Sequence, residues 1–423
     1  MKLTVKNVGK IRNASIEING ITVIAGENNS GKSTIGKVLY STFNSFYHLQ
    51  ERLHREKENI IYSHLNRLSF DVLDFIWASD NFDVPEMVDR IIGESAKFLE
   101  NEGELKKYIL DTAEKQTIEL EDEDNKKIDE TVDNIKRILS VSDDDMLKMI
   151  LTKNMNAEFS GQINNIYNDE PAQVGLRIRE EESQIKIVAN EVTSVSNDFV
   201  LETQVLYMDD PQVLDNIIQT RPMRDSLHLP HAAHLRRKLT GERQDNNVIQ
   251  EIITSNKLDN VYYKLGQVCS GDFVRSGARK FGYRPAGTDK VLYVENLSTG
   301  LKTFVIIKTL LQNGSLEEHG TIILDEPEIH LHPEWQLVLA ELIVLLQKEF
   351  SLHILLNTHS HYFLSAIEVY SAKHGIADKC KYYQAKVEDG QTQIDDVTDN
   401  TEAIYRQLAK PLQDLEDFRY SND

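Results

Sequence analysis

The sequence predicts an α/β fold: a mixed sheet with flanking helices and an antiparallel β subdomain, with a helical arm inserted. Three observations predict it. A short apolar strand, Ile21–Ala25, runs through a glycine-bounded loop into a helix with Ile35, Val38 and Leu39 at helical spacing. A second apolar strand, beginning at Thr321, ends in two adjacent carboxylates, Asp325 and Glu326. Between them, from about residue 44 to 166, strand character nearly disappears and helical stripes sit among charges.

Length and composition bound the answer. At 423 residues the chain has room for two or three domains of about 150 residues each. Its net charge of −21 argues against a surface that grips nucleic acid everywhere, although a local basic face is compatible with it. No run approaches the roughly 18 apolar residues of a membrane span. The opening MKLTVKNVGKIRN alternates like a strand and lacks the apolar core of a signal peptide, so the expectation is a cytoplasmic protein with no membrane contact. Cys269 and Cys380 stand apart, which offers neither a disulfide framework nor a paired-cysteine metal clasp.

Residues Gly26-Glu27-Asn28-Asn29-Ser30-Gly31-Lys32-Ser33 match G-x-x-x-x-G-K-[ST] at every fixed position. Glycines let backbone N–H groups approach phosphate oxygens, and the helix N-terminus behind them favours an anion. In such a loop Lys32 reaches the β and γ phosphates of ATP and Ser33 ligates Mg²⁺.

Upstream, Lys2–Val8 and Ala14 to Ile18 read as strands, and Asn19-Gly20 is a turn signal between the second of them and the loop strand. The arm carries Met87, Ile91 and Ile92, then Ile128, Val132, Ile135, Ile138 and Leu139, at helical spacing; the acidic run Glu119 to Asp124 reads as a solvated tip. From Gln173 to Val188 the pattern becomes the alternation of a hairpin. Val205–Met208 reads as a strand that ends at Asp209-Asp210-Pro211. The stretch from Arg221 to Arg243 holds six basic side chains against two acidic ones, a balance of +4. His228, His231 and His234 lie within it at metal-ligand spacing, but Pro230 interrupts any helix joining them, which favours a partner or nucleic-acid surface over a metal site. Arg275, Arg279, Lys280 and Arg284 could extend the same face.

A strand, KVLYVEN, then leads into Leu297-Ser298-Thr299-Gly300, with Ser298 in helix N-cap position. Asp325 follows Ser298 by 27 residues, at the end of a strand where ligands of parallel sheets sit. Asp325 would hold Mg²⁺, and Glu326 would orient and polarise an attacking water. The next apolar strand, ending at Leu356, is followed by Asn357-Thr358-His359-Ser360, which puts His359 within reach of a γ-phosphate and of Glu326.

Together the loop, LSTG, LDEPEIHLHPEWQ and NTHS resemble the ABC-type ATPases of the SMC and RecF-like class, and more narrowly the OLD-type and PtuA-like ATPases of bacterial anti-phage systems. The resemblance covers residues 1–43 and about 290–365. It implies a P-loop ABC-type head from 1–43 and 170–365, with a helical lobe at about 212–290, an inserted arm at 44–169, and an extension at 366–423 serving as a candidate partner dock. It implies phosphate and Mg²⁺ contacts for Gly26, Asn29, Ser30, Gly31, Lys32, Ser33 and Thr34, metal binding by Asp325, Glu326 as base and His359 as the switch histidine. Ser298, Thr299 and Gly300 would be signature contacts to ATP on a second copy, in a homodimer or higher homo-oligomer. The glutamine-bearing loop of ABC heads has no match after Val205–Met208, which leaves Asp209 as a weak candidate for its place. OLD proteins carry a C-terminal nuclease domain, and no pattern for one follows His359. The resemblance therefore implies an ATPase without nuclease activity of its own, paired with a separate effector that is a nuclease, of HNH type if PtuA-like. A helix from Glu402 to Phe418, with its Ile404, Leu408, Leu412 and Leu415 stripe, would dock that effector or pack on its own head. A DNA-repair or chromosome-maintenance ATPase that clamps duplex DNA through Arg221 to Arg243 is the alternative. A transporter ATPase ranks third.

Overall fold

The parallel centre of one large sheet fixes everything near the loop. In the computed structural model the described residues are 1–72, 84–101, 103–114, 122–196, 200–217, 229–241, 259–277 and 280–420. Among them the large sheet has the order β6-β5-β4-β1-β2-β14-β13-β3-β12-β11-β7. Its strands are β1 Lys2–Val8, β2 Ile11–Glu17, β3 Ile21–Ala25, β4 Ala172–Ile178, β5 Glu181–Val188, β6 Glu191–Ser196, β7 Val205–Met208, β11 Thr321–Asp325, β12 His353–Thr358, β13 Cys380–Glu388 and β14 Gln391–Asp396. Strands β7, β11, β12, β3 and β13 run parallel. β3, β11 and β7 are buried along their whole length, as near-continuous apolar runs covered on both faces must be. The other side, β6-β5-β4-β1-β2, is antiparallel. There β5 alternates buried and exposed residues, the pattern of a sheet wetted on one face.

The C-terminal hairpin β13–β14 lies in the middle of this sheet. β13 pairs with β3, and β14 pairs with β2, so the segment after residue 366 joins the parallel and antiparallel halves. Asn19-Gly20 consequently does not close a hairpin between β2 and β3, because two strands from the far end of the chain separate them. Gly20 does sit at φ 82, and a Cβ there would meet the Lys379 carbonyl oxygen at 2.3 Å, so its turn serves close approach to the residue that leads into β13. The strand read from KVLYVEN is shorter than its sequence pattern: β10 is Leu292–Tyr293, on the antiparallel sheet β10-β9-β8 with β8 Asp272–Arg275 and β9 Phe281–Arg284, and Val294–Asn296 is a 3₁₀ turn.

Helices cover the parallel strands. α1 (Lys32–Phe46) buries Ile35, Val38 and Leu39. A second helix, Thr299–Gln312, buries Phe304 through Ile307, and a third, Pro333–Phe350, starts with Pro333 at its first position, where no N–H is needed. His361–Lys373 begins after Ser360, whose Oγ accepts the Phe363 N–H. The last helix, Glu402–Tyr420, buries Ile404 against the core and leaves Leu415 and Phe418 exposed.

Two compact units partition the chain: Met1–Tyr47 with Ile150–Asp423, and His48–Met149. The second unit contains α2 (Leu49–Val72), α3 (Val84–Gly93), α4 (Ser95–Glu100), α5 (Glu104–Glu114) and α6 (Asp122–Ser140), and α7 (Asp143–Phe159) starts within it. The sequence stripes form its core: Met87, Ile91, Ile128, Val132, Ile135 and Leu139 are buried with Ile61, Leu65 and Phe98. Part of the acidic run lies outside the described residues; Asp122, Glu123 and Asp124 occupy the first turn of α6, where carboxylates favour the helix dipole.

Leu355, fully buried on β12 between the β3 and β11 ladders, is a direct probe of this arrangement. Leu355→Ala should lower unfolding stability by about 2–5 kcal/mol, read as a reduced urea midpoint; an unchanged midpoint would mean that the centre of the sheet is not packed as described.

Candidate active site

Because β3, β11 and β12 are parallel and in register, their C-terminal ends deliver side chains to one place. Asp325 sits beside Asn357, and Thr358 beside Ala25. The loop follows β3, and two left-handed residues shape it: Asn29 at φ 61 and Gly31 at φ 78. Gly26 must be glycine for another reason, since a Cβ there would come 2.9 Å from the Ala385 carbonyl oxygen on β13. Gly31 is the N-cap of α1, so the first free N–H groups of that helix face the loop.

Lys32 is buried with its ammonium at the loop mouth. It donates to the carbonyls of Gly26 at 3.1 Å and Glu27 at 2.9 Å, and lies 3.4 Å from Glu326 Oε1. The same Glu326 oxygen is 3.0 Å from His359 Nδ1, a close approach whose angle does not make a hydrogen bond. Thus three residues from three elements, Lys32, Glu326 and His359, converge. Glu326 has φ 49, a conformation that costs a non-glycine residue on the order of 1–3 kcal/mol. Its N–H donates to the Asn357 carbonyl at 2.9 Å, which locks that turn to β12.

Asp325 is buried, and its partners are neutral donors: Tyr207 Oη at 2.8 Å to Oδ2 and Asn357 Nδ2 at 3.0 Å to Oδ1. Each oxygen keeps a further lone pair. Ser33 and Thr34 stand in the first turn of α1, with Ser33 exposed, and Ser30 Oγ is buried without a partner. The loop, Asp325, Glu326 and His359 are therefore brought together by one end of the sheet.

Ser298 and Thr299 are not tied to that cluster. Ser298 is exposed and caps its own helix, accepting the Leu301 N–H at 3.4 Å. Gly300 is buried, and a Cβ there would come 3.0 Å from the His330 carbonyl oxygen, so glycine lets the LSTG turn pack on the segment after Glu326. Lys302, also buried, pairs with Asp215 at 2.6 Å.

The family match now has its structural setting. Residues 21–365, more than half of the chain, match the family AAA_21, described as "AAA domain, putative AbiEii toxin, Type IV TA system". The chain belongs to the AAA_21 family. Its matched span starts with β3 and ends just past His359, so it includes every strand that delivers a site residue. Solved structures show distant likeness. An Smc head bound to the C-winged helix domain of ScpA is 13% identical, over 95% of this chain and 98% of that one, with a TM-score of 0.46. The SMC head domain from Thermotoga maritima is 11% identical over 94% and 98%, at 0.39. The ADP conformation of MJ1267, an ATP-binding cassette of an ABC transporter, is 13% identical over 97% and 96%, at 0.35. This AAA_21 protein thus carries an AAA domain, with the phosphate-binding loop and the parallel strands β3, β7, β11 and β12 all inside the matched residues.

The turn after β7 does carry a glutamine, Gln212, three residues beyond Asp209 and exposed. Asp209 itself is taken up by His231, whose Nε2 is 2.8 Å from Asp209 Oδ2 while Nδ1 is 2.6 Å from Glu158 Oε2. Burial lowers the His231 pKa, but its hydrogen bonds to Asp209 and Glu158 outweigh that and raise it to about 9. His234 is buried, and desolvation with Lys238 and Arg237 nearby lowers it to about 3. Among the described residues no cluster of three or more His, Cys, Asp or Glu is placed to hold a metal. Of the basic stretch, Arg221, Arg224, His228 and Arg243 lie outside the described residues, as does Arg279. Arg236, Arg237 and Lys238 ride on α8 (His231–Thr240), where only Arg237 is exposed.

Glu328, two residues past Glu326, is the strongest omission. It is buried, accepts from the Thr358 hydroxyl, and has its Oε2 without a partner. Burial raises its pKa to about 7, against a smaller lowering by the Thr358 hydrogen bond. A carboxyl raised above its ordinary 4.5 adds stability below that value, and this is lost as pH rises through about 7. Glu328→Gln should therefore flatten the fall in stability between about pH 5 and about pH 7.5, followed by urea midpoints against wild type; an unaltered slope would mean that Glu328 is ionised throughout in the folded protein.

Proposed function

We propose that this protein is an ATPase subunit that closes as a dimer around ATP and regulates a separate effector, a nuclease, in bacterial anti-phage defence. The observation that carries the ATPase half is the meeting of Lys32, Glu326 and His359 at the end of the parallel strands. Lys32 would bind the γ-phosphate, its ammonium already directed by two loop carbonyls. Glu326 would orient the attacking water and accept its proton, and His359 would hold Glu326 in place. Asp325 and Ser33 would hold Mg²⁺: the first is a buried carboxylate with lone pairs to spare and the second an exposed hydroxyl at a helix start. When bound, the metal supplies charge neutralisation for the phosphates.

The dimer is supported by Ser298, exposed at the LSTG turn. A nucleotide gripped by one copy's loop would meet Ser298 and Thr299 of another, so ATP rather than ADP would favour closure. A regulatory link to an effector is supported by the family's toxin–antitoxin description and by Leu415 and Phe418, exposed on the last helix. The DNA-clamping reading has less support, since of the three α8 cations only Arg237 is exposed and Arg236 has a buried Nε.

Two variants test the proposal. Lys32→Ala should lose ATP binding. Glu326→Gln should retain binding with kcat lowered by about 10²–10⁴-fold, and should co-purify with a second polypeptide from its native host more strongly than Lys32→Ala does. Turnover at the wild-type rate in Glu326→Gln would remove Glu326 from the reaction, and identical recovery with no partner in both variants would remove the effector.

A further inference from the structure

A stacked pair of rings joins Asp325 to two helices that lie outside the catalytic cluster. Tyr207, on β7, lies against the loop helix so closely that a Cβ on Gly36 would come 3.1 Å from its ring and hydroxyl. Its hydroxyl donates to Asp325 Oδ2 at 2.8 Å and lies 3.5 Å from the Ser33 carbonyl oxygen. The Tyr207 ring stacks on His231, with centroids 4.4 Å apart and planes 27° from parallel. His231 is then held at its backbone N–H and at both ring nitrogens. Its backbone N–H donates to Glu158 Oε1 at 2.8 Å, Nδ1 meets Glu158 Oε2 at 2.6 Å, and Nε2 meets Asp209 Oδ2 at 2.8 Å. Tyr40 adds a third ring, edge-on to His231 at 6.0 Å, and its hydroxyl donates to the Leu229 carbonyl at 2.8 Å.

His231 is the first residue of α8, and Glu158 lies in the last turn of α7. We propose that Tyr207 and His231 are positioning residues that couple occupancy of the Asp325–Ser33 end of the site to α8 and to the C-terminal turn of α7. This rests on the nucleotide reading given above. The physical reason is competition for one carboxylate. A cation arriving at Asp325 draws on the lone pairs that now accept the Tyr207 proton, and the phenol, buried beside Gly36, has little room except along its stack. His231 cannot follow alone, because two carboxylates hold its ring and backbone. A shift of the phenol is therefore passed to Glu158 and to the start of α8. Asp209 closes the path at the end of β7, so the clamp takes up the strand end where the sequence offered only a weak candidate.

Hydrogen–deuterium exchange read by mass spectrometry, on the full chain with and without Mg²⁺ and ATP, tests the coupling. Nucleotide binding is titrated separately with a fluorescent ATP analogue. In wild type, nucleotide should change exchange several-fold in residues 231–240 and 154–159. Tyr207→Phe keeps the ring and its stack but loses the donor; it should still bind nucleotide while the difference in those two segments falls away. His231→Gln should lose the same difference and serves as the second variant if Tyr207→Phe folds poorly. The readout is the nucleotide-dependent difference, which a purely structural role would leave in place even if basal exchange rose. Wild-type differences persisting in both nucleotide-bound variants would overturn the relay. Nucleotide binding to wild type with no change in either segment would overturn the relay alone, whereas no binding at all would overturn the site reading with it.

Discussion

The carboxylate of Glu326 stands between an ammonium and an imidazole, and the whole site depends on that placement. Lys32 comes from the helix after β3, His359 from the turn after β12, and Glu326 from the end of β11. No one segment could bring the three together. A parallel sheet can, because neighbouring strands end at the same edge and differ by one strand spacing of about 4.8 Å. The left-handed turn at Glu326 lifts its side chain out of the strand direction toward the loop, a local cost that the surrounding ladder sustains.

The same sheet explains why the neighbouring groups differ in character. Asp325 and Asn357 face each other within the ladder and are buried, so they hold one another rather than solvent. Glu326 and His359 lie one step further out and are partly exposed, where a ligand can reach them. Glu328 falls back into the protein and is met by the hydroxyl of Thr358, which binds the turn after β11 to the turn before His359. Burial thus separates Asp325 and Glu328, both enclosed, from Glu326 between them, whose carboxylate is the one open to a ligand.

Much of this was legible in the sequence because the patterns that mark the loop and the strand ends are local. A glycine loop between an apolar strand and a helix has few other readings, and an apolar strand ending in two acids points to the ligand end of a parallel sheet. The stripes of residues 84–139 likewise revealed buried helix faces, since period and burial are local properties. What could not be read was non-local. Asn19-Gly20 carries the signature of a hairpin, yet β13 and β14 enter between its flanking strands from more than 350 residues away, and nothing near Gly20 announces them. Glu328 looked like one acid among several until burial distinguished it. Tyr207 and His231 lie in unrelated segments, and only the fold stacks their rings. The signature turn was legible as a motif, and its serine caps its own helix by accepting the Leu301 N–H, as the N-cap reading expected.

The most direct measurement is an experimental structure of the Glu326→Gln protein with Mg²⁺ and ATP. The account predicts two chains arranged head to tail, the triphosphate of each lying between Lys32 of one and Ser298 of the other. A nucleotide seated on the loop with the LSTG turn of every copy remote from it would contradict the shared pocket.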